Sequence, residues 1–322
     1  MTRGGAFGEA RRWLPLYLLL AVASGFVDLR MRRFPELGMT QYVPSVVSGS
    51  AEAPGLYRVL APFVLTWIVK LTDGAPMMVW HLSRLLGFFA AWLALHAYLR
   101  TWFTVSGAMF GVTLVAAALP LTYTNSWAHP DHIPELILFT LGCLAIARGR
   151  DAWFAVVLAA ATLNRETAAF LVLLYAVAAP LTRGRILNTL LFGGLWAALY
   201  AGLRFARGFQ AYDIWQIARN VEFLKLLPAP YDPYARAYAW FGLALFGPLL
   251  LLALASRTAQ PLFVRRALWV APAVALVCFA WSSIVETRIF TPLFPILLPG
   301  VMWTLVQPTN NMESFPLQGE ES

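Results

Sequence analysis

Long apolar blocks separated by short polar connections dominate this chain. Apolar runs lie at about 13–27, 78–98, 103–121, 134–147, 152–163, 167–181, 186–203, 238–256, 267–284 and 289–306. A helix rising about 1.5 Å per residue needs roughly 20 residues to cross hydrocarbon, and these runs approach that length. The pattern predicts an all-α, polytopic helical membrane protein with ten crossings, or eleven if 57–71 is counted. That last run is short, has Arg58 and Lys70 near its ends and contains Pro62, which removes one helical hydrogen bond.

Charge placement orients the spans. The connections at Arg148/Arg150, Arg183/Arg185 and Arg257/Arg265/Arg266 are short and basic and are expected on the cytoplasmic side. Thr122 to Glu135 has no Lys or Arg and is expected outside. With the N-terminus inside, an odd number of spans precedes residue 122, so 57–71 reads as a re-entrant or interfacial helix. The expected organisation is one integral membrane domain over 1–322. It has a cytoplasmic tail at 1–12, a first outer loop at 28–77, an outer loop at 204–237 and a polar C-terminal tail at 307–322. Ile214, Trp215, Ala218, Val221 and Leu224 recur at helical spacing, predicting an interfacial amphipathic helix over 212–227. Arg3, Arg11 and Arg12 before the first run, with Ala21-Val22-Ala23 inside it, also fit a secretory signal. The run continues through Phe26-Val27, and an uncleaved first helix is the reading adopted.

Composition then narrows the function classes. Of 322 residues 60% are hydrophobic and 12% charged, too few charges to cover a water-facing surface of that size, which excludes a soluble enzyme. Mean hydropathy is +0.65 and the isoelectric point about 9.8. The net charge of +8 comes from short clusters between apolar blocks and forms no stripe. Membrane orientation and anionic lipids explain it, and nucleic acid is not an expected partner. Cys143 and Cys278 both lie in apolar runs, so neither a disulfide framework nor a thiolate metal site is indicated.

Ionisable residues at the edge of or within apolar runs are costly, so their clustering on the outer side marks candidate chemistry. Asp28 and Glu36 follow the first span, where an ordinary polar loop end is the plain alternative. Tyr57-Arg58 lies between Pro54 and Pro62. The planar guanidinium suits capture of a phosphate, and snorkelling to the interface is its alternative. His129-Pro130-Asp131-His132, followed by Glu135, has residue types that could meet a divalent cation, with Asp131 the possible ligand. Asp131 reads equally as a helix cap or a second active-site acid. Asn164-Arg165-Glu166-Thr167 separates two short apolar runs and is expected to sit below the surface, facing a polar cavity or stapled by mutual pairing. Glu286 and Arg288 open the last span, as a site or as an interface anchor. Arg30, Arg32 and Arg33 would lie outside against the charge bias, and an anionic ligand would account for them.

Phosphate-loop, HExxH, GxSxG and CxxC patterns are absent, leaving nucleotide-driven transport, zinc proteolysis and serine hydrolysis without their usual residues. Gly107 and Gly111 form a GxxxG, which in an apolar run signals close helix packing.

The order of these features resembles bacterial membrane glycosyltransferases of the GT-C superfold. A first span ends in an outer-loop acid. Then come Tyr42, Gly49, Pro54 and Tyr57-Arg58-Val59-Leu60-Ala61-Pro62, His129-Pro130-Asp131 opening a span that ends in Arg148-Gly149-Arg150, and Asn164-Arg165-Glu166-Thr167. The resemblance covers most of 13–305. It implies a bacterial inner-membrane enzyme that passes a sugar from a polyprenyl-phosphate donor to an acceptor on the extracytoplasmic face. It implies Asp28 as the catalytic base, with Glu36 as runner-up, and Asp131 as the acid of the second outer loop, a helper or metal contact. The family acid usually lies a few residues before the loop tyrosine; here Asp28 precedes Tyr42 by fourteen positions and Glu36 by six. Tyr57, Arg58, His129, Asp131, His132, Arg165, Glu166, Glu286 and Arg288 are the expected substrate-binding set. The donor sugar and acceptor are not specified by these residues.

The chemistry is consistent with the residue types. A carboxylate is needed to take the acceptor hydroxyl's proton, and guanidinium groups to stabilise the leaving phosphate. Two other classes share the pattern: a transporter or flippase of a lipid-linked or anionic solute, and a non-catalytic membrane scaffold. A transporter favours inverted repeats and polar residues on both sides of the midplane; the sequence has no repeat and a one-sided distribution. Convergence of Asp28 or Glu36, Arg58, Asp131 and Glu166 on one cavity is the geometric test.

Overall fold

The computed structural model describes residues 3–31, 35–123, 129–211, 215–225 and 233–306, with backbone only at 3–12, 35 and 233–239. Arg32, Arg33, residues 212–214 and 226–232 and the tail at 307–322 lie outside the described residues. Within them the chain is mainly helical and contains no strand. The helices are α1 (Arg3–Met31), α2 (Pro35–Leu37), α3 (Val43–Ser48), α4 (Leu60–Thr72), α5 (Pro76–Leu99), α6 (Val105–Ala118), α7 (His132–Ala147) and α8 (Asp151–Asn164). They continue as α9 (Ala169–Val177), α10 (Arg183–Arg207), α11 (Ile217–Leu224), α12 (Pro233–Ala255), α13 (Leu262–Ala267), α14 (Val270–Trp281) and α15 (Leu293–Leu305).

Five stretches are long and apolar enough to cross a membrane: Trp13–Met31, Pro76–Leu99, Val105–Thr122, Arg183–Arg207 and Leu262–Trp281. The other expected crossings are helices of 10–17 residues. The 16 residues of α7 rise only about 24 Å, short of the roughly 30 Å of hydrocarbon. Polar breaks cause the shortening. Asn164-Arg165 ends α8, a 3-10 turn at Thr287–Phe290 precedes α15, and the run at 57–71 becomes helical only at Leu60.

Local chemistry sets several boundaries. Thr104 Oγ1 caps α6 by accepting from Gly107 N at 3.2 Å, and Thr182 Oγ1 caps α10 by accepting from Arg185 N at 3.2 Å. The GxxxG pair does mark close packing: a Cβ on Gly111 would stand 2.5 Å from Leu99 and 3.1 Å from Met302. The first outer loop is more regular than expected, since 35–48 is helical, including a π-helical turn at Gly38–Tyr42. Of the expected amphipathic helix, Ile217–Leu224 is observed as α11. Its Asn220 side chain donates to Phe279 O and Ser282 O, both at 2.7 Å, and accepts from Ile284 N at 3.1 Å, pinning α11 to the end of α14.

One hydrophobic core runs from Tyr17 on α1 to Met302 on α15. α7 packs between α5 and α8, and α12 packs on α15. Leu18, Leu19, Leu190, Leu191 and Leu251 turn outward and are exposed, as expected of a surface that meets lipid. Both cysteines are buried and unbridged.

The two ends of the bundle carry different chemistry. At one end the basic connections are tied down by bonds such as Arg148 to Ala97 O at 3.4 Å and Tyr175 to Asp151 at 3.0 Å, with Asn188 also donating to Asp151 at 2.8 Å. The other end gathers the C-terminus of α1, the N-termini of α4, α5 and α7, and the turn between α8 and α9. That gathering creates the candidate site.

Candidate functional site

Arg58 sits just before α4, where the 3-10 turn at Gly55–Tyr57 aims it inward. Its guanidinium grips Glu166 with both arms, Nη2 to Oε1 at 2.5 Å and Nε to Oε2 at 3.2 Å, and its Nη1 reaches Asp131 Oδ2 at 3.4 Å. Asp131 also lies 3.8 Å from Arg165 Nε. Arg165 in turn donates to Glu135 Oε2 at 2.6 Å, and Thr167 donates to Glu135 Oε1 at 2.5 Å. Asn164 Nδ2 donates to the backbone carbonyl of Asp131 at 2.8 Å, locking the end of α8 to the start of α7. Residues 58, 131, 135 and 164–167, distant in sequence, thus form one network, buried except at the half-buried Glu166 and Thr167.

Asp131 occupies the N-cap position of α7, but its side chain makes no cap bond. Its carboxylate faces the guanidinium groups instead, so the cap reading does not describe it. Burial alone would raise its pKa; Arg58 and Arg165, helped by His129 and Arg288, hold it well below the usual carboxylate range. His129 sits with its ring 4.8 Å from Tyr42 and its Nδ1 3.9 Å from Asp131 Oδ1. Burial and the nearby Arg288 push His129 well below the ordinary histidine value.

Glu286 and Arg288 join at the edge of this network. Arg288 Nη2 donates to Glu286 Oε2 at 2.5 Å, and Arg288 lies close enough to add to the field at Asp131 and His129. Burial opposes ionisation of Glu286, while Arg288 and its hydrogen bond outweigh that and lower its pKa. Arg288 is buried, yet its Nε and Nη1 have no hydrogen-bond partner; Asp131 Oδ1 and Arg165 Nε are in the same condition. Buried polar atoms are normally satisfied, so these mark where water or a ligand group would be held.

Asp28 is placed elsewhere, so the expected convergence of Asp28 or Glu36 with Arg58, Asp131 and Glu166 on one cavity is not met: none of those three lines the groove at Asp28. It is 2% exposed and pairs with Arg84, 7% exposed, through two contacts: Arg84 Nη2 to Asp28 Oδ1 at 2.7 Å, and Arg84 Nε to Asp28 Oδ2. Arg84 Nη2 also lies 3.4 Å from His132 Nε2, and its guanidinium stacks 5.2 Å over the Trp80 ring. The pair lines a groove of about 230 Å³ between α1 and α5, walled by apolar residues such as Val22, Phe26, Leu29 and Trp80 and by the exposed His81. Asp131 and His132 are consecutive, so the first two residues of the α7 turn join the Arg58 network to the Asp28–Arg84 pair.

Two sequence expectations need correction. Glu36 is exposed, and the contact found at it is through its backbone carbonyl, which accepts from Thr40 Oγ1 at 2.8 Å. The helical path of 35–48 carries it away from both networks. Tyr57, adjacent to Arg58, points the other way. Its hydroxyl donates to Gly208 O at 2.9 Å and accepts from Gln210 N at 3.0 Å, and Arg204 stacks on its ring at 4.3 Å. It ties the loop to the end of α10, which leaves Arg58 alone to meet the acids. Arg84 is the residue the sequence reading missed. It is a lone arginine inside the apolar run 78–98, a costly position that is itself the signal.

Among the described residues no three His, Cys, Asp or Glu side chains converge to hold a metal ion. The carboxylates of the Arg58 network face guanidinium groups instead. A divalent cation at Asp131 therefore has only that one carboxylate, with its free Oδ1, to recommend it. The chain matches no family model, and comparison with curated proteins and with solved structures returns no match.

Proposed function

We propose that the protein is a membrane glycosyltransferase that moves a sugar from a polyprenyl-phosphate donor to an acceptor on the extracytoplasmic face of a bacterial inner membrane. On this reading its N-terminus is cytoplasmic and its helices follow a GT-C-like arrangement. One observation carries the reading. A buried carboxylate, Asp28, shares an apolar-walled groove with a guanidinium at the end of the bundle where all the other buried acids and arginines of the candidate network gather. Group transfer from a lipid phosphate needs that combination: a base for the acceptor hydroxyl, a cation for the leaving phosphate and an apolar wall for the carrier chain. Asp28 is the base, the exposed Glu36 is not, and the Arg58–Glu166–Asp131 network positions the loops around the groove.

A carrier for a lipid-linked anion is the second reading, favoured by the groove's apolar rim, and the same experiment separates the two. Purified protein in liposomes is given polyprenyl phosphate bearing a labelled sugar, together with a membrane extract as acceptor source. Label moves from the carrier lipid to a new product, and Asp28→Asn slows this by at least about 100-fold, the scale of a lost general base. Glu36→Gln stays within about twofold of wild type. Full turnover by Asp28→Asn rejects Asp28 as the base, whereas movement of intact donor across the bilayer without cleavage rejects the enzymatic reading.

A further inference from the structure

We propose that Arg257, Arg265, Arg266 and Trp269 form a seat for the head group of an anionic glycerophospholipid, at the end of the bundle opposite the candidate site. This goes beyond the sugar-transfer reading and does not depend on it. The 13 residues of α15 fix which end is meant. α15 starts just after Arg288, rises about 20 Å, and finishes beside the end of α12, where Thr304 Oγ1 donates to Leu252 O at 2.6 Å and lies 2.8 Å from Ser256 Oγ.

Charge at this place is unanswered from within the chain. From 233 to 285 the sequence has four arginines and no acidic residue. Among the described residues Arg257, Arg265 and Arg266 make no ion pair and no side-chain hydrogen bond. Arg185, at the same end, differs: it donates to Tyr175 O and stacks 3.4 Å over that ring. Two of the three free guanidinium groups are nevertheless gathered at one indole. Arg257 stacks 4.8 Å over the Trp269 ring, and Arg266 lies one turn before Trp269, whose N donates to Arg266 O at 3.0 Å. Stacking uses the face of a guanidinium and leaves its N–H edge for an oxyanion, which the fork of an arginine meets with two parallel bonds. Arg265 and Arg266 also stand inside Leu262–Trp281, a stretch long and apolar enough to cross a membrane. Adjacent charges there carry a cost that a phosphate removes.

Apolar surface continues from these charges along both flanking helices. On α14 the exposed Trp269, Pro272 and Leu276 follow one another at steps of three and four residues, the spacing of one helix face. On α12 the exposed Leu251 and Leu254 lead at three-residue steps to Arg257. Each helix thus carries an apolar track from the arginines toward the middle of the bundle. Trp269, 62% exposed, has the place of an interfacial tryptophan at head-group depth. A soluble polyanion or an acidic protein would meet the arginines and leave the leucines uncovered. A glycerophospholipid meets both, its phosphate at the guanidinium edges and its two chains on the two tracks. Such basic pockets at the ends of membrane helices are the general chemistry of anionic-lipid recognition.

The test is equilibrium binding of tritiated phosphatidylglycerol to full-length protein stripped of lipid in a neutral detergent. Wild type is expected to bind saturably. Phosphatidylcholine of the same chains, whose choline cancels the phosphate charge, and glycerol 3-phosphate, which has no chains, are each expected to compete at least about 10-fold less well. The double variant Arg257→Gln/Arg266→Gln is expected to weaken binding at least about 10-fold. Two charges removed elsewhere at the same end, as Arg150→Gln/Arg183→Gln, both exposed, are expected to leave affinity within about twofold of wild type. Trp269→Leu, which keeps an apolar face and loses the stack, is expected to fall between the two. Arg265→Gln, at an exposed side chain, keeps the test valid if the first double variant does not fold, with an expected loss of roughly fivefold. Equal losses in the two double variants mean diffuse attraction to a basic face and overturn the inference, as does equal competition by phosphatidylcholine or by glycerol 3-phosphate. Sugar transfer is not read in this measurement, so failure here leaves the enzymatic reading untouched.

Discussion

Asp28 and Arg84 hold each other beside an open groove, whereas Asp131 is fully buried and faced by Arg58, Arg165 and His129. Both are carboxylate–guanidinium sites at the same end of the bundle, yet their surroundings differ. Arg58 and Asp131 of the inner network each meet partners from two chain stretches, and pulling out Arg165 strands Glu135 and Asp131 in the interior. The outer pair has a route to water or ligand along the groove. Burial with interlocking partners suits a tie that holds loops together; burial with an exit suits a site whose partner changes.

The comparison breaks most sharply on Arg165→Ala. Removing this guanidinium leaves Glu135 without its 2.6 Å partner and Asp131 without one of its cations, a loss expected to cost about 3–5 kcal/mol. Thermal unfolding in detergent should show a large drop in midpoint, and Arg84→Ala a clearly smaller one. Equal drops would erase the distinction drawn between the two sites.

Acidification sharpens it next. His129 has a folded-state pKa below its ordinary 6.5, so below that pH the unfolded chain binds a proton that the folded one refuses, and stability falls. Asp131 and Glu286 are likewise held below their ordinary values of 3.8 and 4.5, so their contribution is complete above that range and is lost as pH falls through it. The unfolding midpoint is therefore expected to decline in two stages on the acid side, the first smaller in His129→Phe. A midpoint flat from pH 7 to 5 in wild type would show that His129 does not stay neutral in the fold.

The smallest effect is expected at Tyr57→Phe. The hydrogen bond its hydroxyl donates to Gly208 O, at 2.9 Å, and the one it accepts from Gln210 N, at 3.0 Å, are worth about 1 kcal/mol each. Unfolding midpoints and lipid binding measured together should show a modest loss of stability with polyprenyl-phosphate affinity retained. A large loss of affinity would place Tyr57 in the site after all.

Much of the candidate site was legible in the chain because charge at the edge of an apolar run is expensive, and Arg58, Asp131, Arg165, Glu166, Glu286 and Arg288 all advertise that cost. Their partners were not legible. Pairing of Arg58 with Glu166 spans 108 positions and depends on how α4 meets α8, which no local pattern encodes. Arg84 escaped because a hydropathy window averages one arginine into its mostly apolar neighbours. Glu36 lies nearer to Tyr42 in sequence than Asp28 does, but the helical path of 35–48 decides its exposure. For the fold, apolar runs located the helices well and misjudged their lengths, since Asn164-Arg165 and the Thr287–Phe290 turn interrupt the runs from within.

Asp131 and His132 are joined directly at the start of α7. A single planar peptide unit links the carboxylate that anchors the loops to the imidazole that backs Arg84. No slack chain lies between them to absorb a displacement. Inheritance at these two positions is therefore expected to be joint: a change that retunes one neighbour drags the other's geometry along, and lineages should alter the dipeptide as a block or leave it alone.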